Sequence, residues 1–217
     1  MELPGLLSIG PEKLKTEERI ILAAIRVFSD TPLELASTRQ IAKEAGVSLS
    51  AIPYYFKTKE NLYLAAITRI IDFVGEAVDE KFASQPPVDS LNARAAKKVL
   101  QNLIGLLIDG MYLPDTLVFA KIFVREHLTP SPAYDVIYQR FAKKLFNKIT
   151  KLIQRITPNF SEKEVAFKII WVFGQVVGFR LGREMLKRHV DDFAGFSEEE
   201  IAEIKALVIR TVFRELK

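Results

Sequence analysis

Hydrophobic residues recur at helical spacing along nearly the whole chain. Ile20, Ala24, Val27 and Phe28 share one face of residues 16–29, and Asp30-Thr31-Pro32 stops that segment. Two short helices are expected over 38–45 and 49–56. A long helix capped by Thr58 should follow to residue 83 or so, with Leu62, Ala65, Ala66, Ile70, Phe73, Val74 and Ala77 as its apolar face. Gln85-Pro86-Pro87 is the clearest break. Beyond it, Leu91, Ala95, Val99, Leu103, Leu106 and Leu107 form a stripe over 91–110, and Leu113-Pro114-Asp115 should start another helix through Val124. Leu128-Thr129-Pro130-Ser131-Pro132 interrupts the pattern before a helical stretch at 133–155. Ser161 with Glu164, and Ser197 with Glu200, have capping-box spacing and open helices that should end near residues 188 and 215. No run alternates with period two over a useful length. The pattern predicts an all-α protein of about nine helices, three in a small N-terminal domain (1–60) and six in a larger one (61–217).

Residues 37–62 carry the most specific signal. Ser37 and Thr38 are both good N-caps, and Ser37 with Gln40 has capping-box spacing. Ile41 and Ala45 fall on one face, and Ala42 is small enough for a second helix to cross close by. Gly46 suits the left-handed position that ends a helix, and Ser48 is a natural N-cap for the next. This is a helix-turn-helix, whose second helix enters the DNA major groove. Its first turns present Leu49, Ser50, Ala51 and Pro53 to the base edges. These offer thymine-methyl contacts and one serine hydrogen bond, so DNA shape should carry a larger share of specificity than direct reading. Arg39, Lys57 and Lys59 place positive charge beside the helix. Tyr55 suits either a phosphate or the core, and Phe56 reads as core. A plain αα-corner would use the same glycine turn but would not need this basic and aromatic tail.

The run Ile41-Ala42…Ala45-Gly46-Val47-Ser48, followed by Tyr54-Tyr55-Phe56-Lys57-Thr58-Lys59-Glu60-Asn61-Leu62 and preceded by a helix like 16–29, resembles the DNA-binding domain of the TetR family of bacterial repressors. The resemblance implies the same three-plus-six helix architecture, with Thr38, Tyr54, Tyr55 and Lys59 holding phosphates. The chain departs from the family in one place: Pro53 stands where Tyr is usual. A helix starting at Leu49 would find no N–H at Pro53 for the Leu49 carbonyl, so the recognition helix is expected to be kinked or partly 3₁₀. Further on, Phe123-Val124-Arg125-Glu126-His127-Leu128-Thr129-Pro130-Ser131-Pro132-Ala133-Tyr134 and Gly178-Phe179-Arg180-Leu181-Gly182-Arg183-Glu184, with Ala65 to Glu76, resemble the CecR (CerR-like) branch. Members of that branch look like regulators of membrane-transport and drug-sensitivity genes.

Composition narrows the remaining possibilities. A chain of 217 residues with 49% hydrophobic positions and only 10 Gly and 10 Pro can bury a sizeable core. With no cysteine there is neither a disulfide framework nor a thiolate metal site, which fits a cytoplasmic location. The N-terminus lacks a basic region and a long apolar run, so residues 1–11 are read as a loose arm rather than a signal peptide, and no stretch is apolar enough to span a membrane. The net charge of +4 permits a nucleic-acid partner. Its distribution does not argue for one. Residues 1–60 hold eight cations (Lys13, Lys15, Arg19, Arg26, Arg39, Lys43, Lys57, Lys59) and eight acids (Glu2, Glu12, Glu17, Glu18, Asp30, Glu34, Glu44, Glu60). The whole excess lies beyond residue 60.

TetR-like repressors bind a small molecule among the middle helices, and the resemblance implies the same here. An apolar pocket with a few polar groups is needed. Its candidate walls are Phe73, Leu103, Leu107, Phe119, Phe123 and Trp171, and its candidate anchors are Arg125, Glu126, His127 and Arg180. The same aromatics would serve equally as core, and the Arg125–Glu126 pair could fix the following loop instead. His127 and His189 are the only histidines and are far apart, so neither a metal site nor a cofactor is expected. In 161–188, Val165, Ile169, Val172, Phe173, Val176, Val177 and Phe179 exceed one buried stripe, as do Ile201, Ile204, Leu207, Val208, Thr211 and Val212 in the last helix. Such a surplus suggests a homodimer through the last two helices, or a wide internal core. The expected function is a dimeric repressor on a palindromic DNA operator, released by a small apolar or amphipathic effector. An enzyme is disfavoured by the lack of Cys and of Ser-His-acid spacing. A constitutive architectural DNA binder is the remaining alternative.

Overall fold

The computed structural model describes residues 14–112 and 116–216. The elements are α1 (Thr16–Asp30), α2 (Thr38–Ala45), α3 (Ala51–Phe56), α4 (Lys59–Phe82), α5 (Ala93–Tyr112), α6 (Leu117–Leu128), α7 (Pro132–Ile137), α8 (Lys143–Ile156), α9 (Glu162–Leu181), α10 (Arg183–His189) and α11 (Glu198–Glu215). A 3₁₀ turn, Val88–Ser90, precedes α5, and a π-helical stretch, Tyr138–Ala142, joins α7 to α8 without a break. There is no strand among the described residues. The expected arm at 1–11 and the expected helix start at 113–115 lie outside the described residues.

The chain packs as two units. The first is the described part of Met1–Lys81 with Val118–Ala142; the second is Phe82–Leu117 with Lys143–Lys217. In the first unit α4 and α6–α7 share a core with the first three helices. That core is built on α1, in which Ile20, Leu22, Ala23, Ala24, Ile25, Val27 and Phe28 are all buried. Ile41, Ala42 and Ala45 of α2, Ile52 and Phe56 of α3, Leu62, Tyr63, Ala66 and Ile67 of α4, and Phe119 and Ile122 of α6 close around it. Phe28 meets the Tyr63 ring edge-on at 4.9 Å.

In the second unit α5 packs against α8, α9 and α11. Its buried face is Ala96, Val99, Leu100, Leu103, Ile104 and Ile108. Ala95, Leu106 and Leu107, placed on the stripe by sequence, are only half-buried. Two of the three predicted capping boxes form, at Ser161–Glu164 and Ser197–Glu200. The helix expected to reach residue 188 instead breaks after Leu181, and α9 and α10 meet at 52° across Gly182.

A buried carboxylate ties α4 to α6 and α7 within the first unit. Glu126 is 2% exposed. It accepts from the Tyr63 hydroxyl at 2.5 Å, and from the Ser131 hydroxyl and N–H at 2.8 and 3.1 Å. Ser131 in turn caps α7, accepting from the Ala133 N–H. A buried carboxylate is tolerable only when its lone pairs are used, and here three donors converge on it. Burial, and then the Glu126 hydrogen bond, push the Tyr63 phenol up to about 12. The folded state thus favours the neutral phenol. That contribution is complete below the ordinary tyrosine pKa of 10.0 and is lost as pH rises from there towards 12. Tyr63→Phe should destabilise the protein by about 1–3 kcal/mol by leaving Glu126 short of a donor. It should also flatten the alkaline loss of stability, as read from urea unfolding across that pH range.

Candidate nucleic-acid interface

The helix-turn-helix is held from behind by α1. Gly46 ends α2 in the left-handed conformation (φ 63°), and its N–H returns to Ala42 and Lys43. The Arg19 guanidinium donates Nη2 to the carbonyls of Ala45 (2.6 Å) and Gly46 (3.0 Å), filling the acceptors that a helix C-terminus leaves open. Arg19 shares a face of α1 with Ala23 and Val27, both buried. A charge on an apolar face is a signal of this role that the sequence already carries. Ser37 occupies the N-cap of α2 as expected but makes no side-chain cap bond, so the anticipated capping box is absent.

The recognition helix starts two residues later than expected. Ser48, Leu49 and Ser50 form a turn, in which the Ala51 N–H reaches the Ser48 carbonyl at 3.0 Å and the Ile52 N–H reaches that of Leu49 at 3.3 Å. Pro53 is the reason. Beginning the helix at Ala51 puts proline in its first turn, where the missing N–H has no intrahelical partner to lose. The expected 3₁₀ tightening is therefore confined to the entry turn, and α3 itself is a single short helix. The Ser48 hydroxyl lies 3.0 Å from that of Ser50 rather than capping the helix.

Arg39, Ser48, Leu49, Ser50, Pro53, Tyr54, Tyr55 and Lys57 are exposed; Thr38, Ala51 and Lys59 are half-buried. Ile52 and Phe56 turn inward. Tyr54 is 73% exposed and Tyr55 40%, their rings edge-on at 5.0 Å, so both phenols face solvent beside the turn. Lys59 differs from the expectation. Its ammonium donates to the carbonyls of Glu34 (3.2 Å) and Ala36 (3.1 Å), tying the start of α4 to the loop before α2. Thr58 caps α4 through the Asn61 N–H, as predicted. Between them Lys57 adopts φ 68° and ψ −56°, and the Thr58 N–H reaches the Phe56 carbonyl at 2.8 Å. This is a γ-turn with a positive φ, costly for any residue with a Cβ.

The ten effector candidates fall in both units. In the first, the Phe73 and Phe119 rings lie 5.8 Å apart, and His127 stacks on Phe123 at 4.1 Å with its Nδ1 2.8 Å from the Phe123 carbonyl. Phe119 is core, and Glu126 has both oxygens engaged by protein donors, so its observed role is to fix the α6–α7 loop. Arg125 is likewise engaged, donating to the Phe28 carbonyl at 2.6 Å. In the second unit Leu103 is fully buried and Leu107 half-buried. Trp171 lines an open groove along α9 and α10, and Arg180 lies over the Tyr112 ring. Among the described residues no three His, Cys, Asp or Glu side chains come together as a metal site.

Comparison with known proteins agrees with this geometry. A family model described as bacterial regulatory proteins, tetR family, matches residues 20–66. A second, described as the C-terminal domain of the HTH-type transcriptional dual regulator CecR, matches residues 96–217. The chain belongs to the TetR family, in its CecR branch. The CecR protein of Shigella flexneri is 30% identical over 194 residues, covering 86% of this chain and 84% of its own. Among solved structures, a transcriptional regulator from Saccharomonospora viridis in complex with choline superposes with a TM-score of 0.66 at 15% identity, covering 91% of this chain and 95% of that one. A transcriptional regulator from Streptomyces coelicolor gives 0.62 at 21% identity, covering 93% and 98%. This TetR-family chain is accordingly a transcriptional regulator and not an enzyme.

The two positive-φ residues should respond oppositely to substitution. Gly46→Ala should cost about 1–3 kcal/mol, because the position is left-handed and the new Cβ would stand 2.9 Å from the Arg19 Nη2. Lys57→Gly should gain about 1 kcal/mol by relieving the γ-turn. Urea denaturation of the two variants tests both signs.

Proposed function

We propose that this regulator acts as a homodimeric repressor in the cytoplasm, occupying a palindromic operator and leaving it when a small apolar or amphipathic effector binds. The reading rests chiefly on the pairing of an exposed α3 entry turn with an unpartnered apolar face in the second unit. Phe167 (65% exposed) and Ile170 (61%) of α9 continue through Leu181 to Met185 of α10. Gly174 and Gly178 lie between them, with nothing within 4 Å of where a Cβ would stand. A second helix can approach closely there, and the adjoining groove has a volume of about 620 Å³. Of the residues that sequence offered as surplus in this helix, Val165, Ile169, Val172, Val176 and Val177 are buried within the chain, and Phe173 and Phe179 are half-buried. The dimer face is the opposite side of the same helix. A two-fold dimer suits DNA as well, since recognition helices roughly 34–36 Å apart meet successive major grooves.

An effector shifts such a protein only if it binds the DNA-competent and released states with different affinity. The Saccharomonospora viridis structure contains choline, which shows that this fold can hold a small organic ligand. The relative in Shigella flexneri is described as a dual regulator, so activation at some promoters fits the same machinery.

Ile170→Glu should convert the protein to a monomer in sedimentation equilibrium and weaken operator binding at least tenfold while leaving helicity unchanged. A variant that remained dimeric would place the interface elsewhere. Titration against the chain's own upstream intergenic DNA at two salt concentrations should give saturable binding at two protomers, or a multiple, per palindrome. On that operator Ala51→Arg should change the preferred sequence. Arg39→Ala should weaken binding to all sequences alike and reduce the salt dependence. Equal weak binding to random DNA would defeat the repressor reading.

A further inference from the structure

An aromatic cavity in the second unit carries two carboxylates on its wall. It has a volume of about 450 Å³ and lies among α9, α10, α11 and the loop between the last two. Phe179 of α9, Leu186 of α10, and Ile204 and Leu207 of α11 form apolar sides, and Phe193 and Phe196 of the loop complete them. Ring contacts hold the loop in place. Phe193 meets Phe196 edge-on at 5.2 Å, and Phe196 meets the Tyr112 ring at 4.9 Å. Tyr112 is itself fixed, since its hydroxyl donates to the Val176 carbonyl at 2.5 Å and accepts from the Arg180 backbone N–H at 3.0 Å. The aromatic walls therefore stand ready before any ligand enters.

Charge at one end of the cavity selects the sign of a ligand. Glu200 and Glu203 follow one another on α11, and both line it. The capping box engages one Glu200 oxygen, which accepts from the Ser197 N–H at 2.7 Å, and leaves the other facing no protein donor among the described residues. Glu203 is exposed and has no ion-pair partner among them. Neighbouring cations do not answer these acids: Arg183 pairs with Glu184 at 3.0 Å, and Lys205 pairs with Asp109. Arg210 also lines the cavity, but it follows Glu203 by two turns of α11, about 10 Å along the axis. The glutamate end repels an anion. It attracts a cation, and so do the negative faces of the phenylalanine rings. We infer that this cavity binds a small amphipathic organic cation, its ammonium group beside Glu200 and Glu203 and its aromatic or aliphatic body against Phe179, Phe193 and Phe196. The inference deepens the effector reading above and rests on it. Phe179 and Leu186 also line the groove beside the dimer face, so an occupant would bear on residues at the edge of that face.

The test uses the full-length protein at neutral pH, titrated by calorimetry at matched ionic strength. The probe is 2-naphthylmethylamine, which is protonated there; neutral 2-naphthylmethanol and anionic 2-naphthoate are the controls. Saturable binding of the amine is expected, at least tenfold tighter than that of the alcohol, with the acid weaker than both. Glu203→Gln should weaken the amine at least fivefold and leave the alcohol within twofold. Glu199→Gln removes the same charge from an exposed position outside the lining and should leave both within twofold. Equal binding of amine and alcohol, equal losses in the two variants, or no amine binding up to its solubility limit overturns the inference. So does amine binding that appears only in Ile170→Glu, which would mean that a second copy fills the cavity. Operator binding without amine binding leaves the regulator reading standing and removes this one; amine binding without operator binding does the reverse.

Discussion

The first unit depends on long cationic side chains reaching backbone carbonyls that helix ends and loops leave unsatisfied. Arg19 fills the C-terminus of α2, Arg125 that of α1, and Lys59 the loop between them. Helices of eight and six residues, such as α2 and α3, do not persist alone in water, because nucleation costs more than so few hydrogen bonds return. Their stability must come from neighbours. Apolar contacts onto α1 supply most of it, and the three cations fix the angles at which the short helices leave the core. The presentation of α3 to DNA is therefore a consequence of how α1 and α4 are built.

The same interactions explain why charge was a poor guide to function. Residues 1–60 are electrically balanced in sequence, and the structure commits Arg19 and Lys59 to internal carbonyls, while Arg26 lies 3.4 Å from Glu44. Arg39, Lys43 and Lys57 are the exposed cations of α2 and of the α3–α4 junction. Fewer exposed cations mean fewer phosphates neutralised and a shallower salt dependence of DNA binding.

Much of this was legible from residue pattern. Helix order, the Gly46 turn, the Thr58 cap and two of the three capping boxes follow from local rules that tertiary packing leaves in force. Pro53 was recognised as a conflict, but its resolution was not. Delaying the helix start by two residues removes the clash at no hydrogen-bond cost, and nothing in the spacing of Leu49 and Ser50 favours that solution over a kink. The apolar surplus of α9 is legible too, but not which of its residues face outward. A helix that is apolar all round has no sequence signature for which side its own chain covers. Glu126 illustrates a third limit. A carboxylate flanked by Arg125 and His127 looks like a ligand anchor until the fold brings Tyr63, distant in sequence, to hydrogen-bond it.

Glu126 and Arg180 show how two charged candidates in one chain come to mean different things. Each was a candidate anchor on the same grounds, a polar group in an apolar stretch. Glu126 ends with three protein donors converging on two oxygens, so a ligand group could reach it only by displacing Tyr63 or Ser131 and reopening the α7 cap. Arg180 is only half-buried, and its one buried nitrogen without a partner among the described residues, Nη2, lies outside the lining of the neighbouring aromatic cavity. Folding tends to eliminate unpaired buried donors because each lowers stability. The partners that folding brings to a charge, rather than its residue type or its neighbours in sequence, decide whether it is structural.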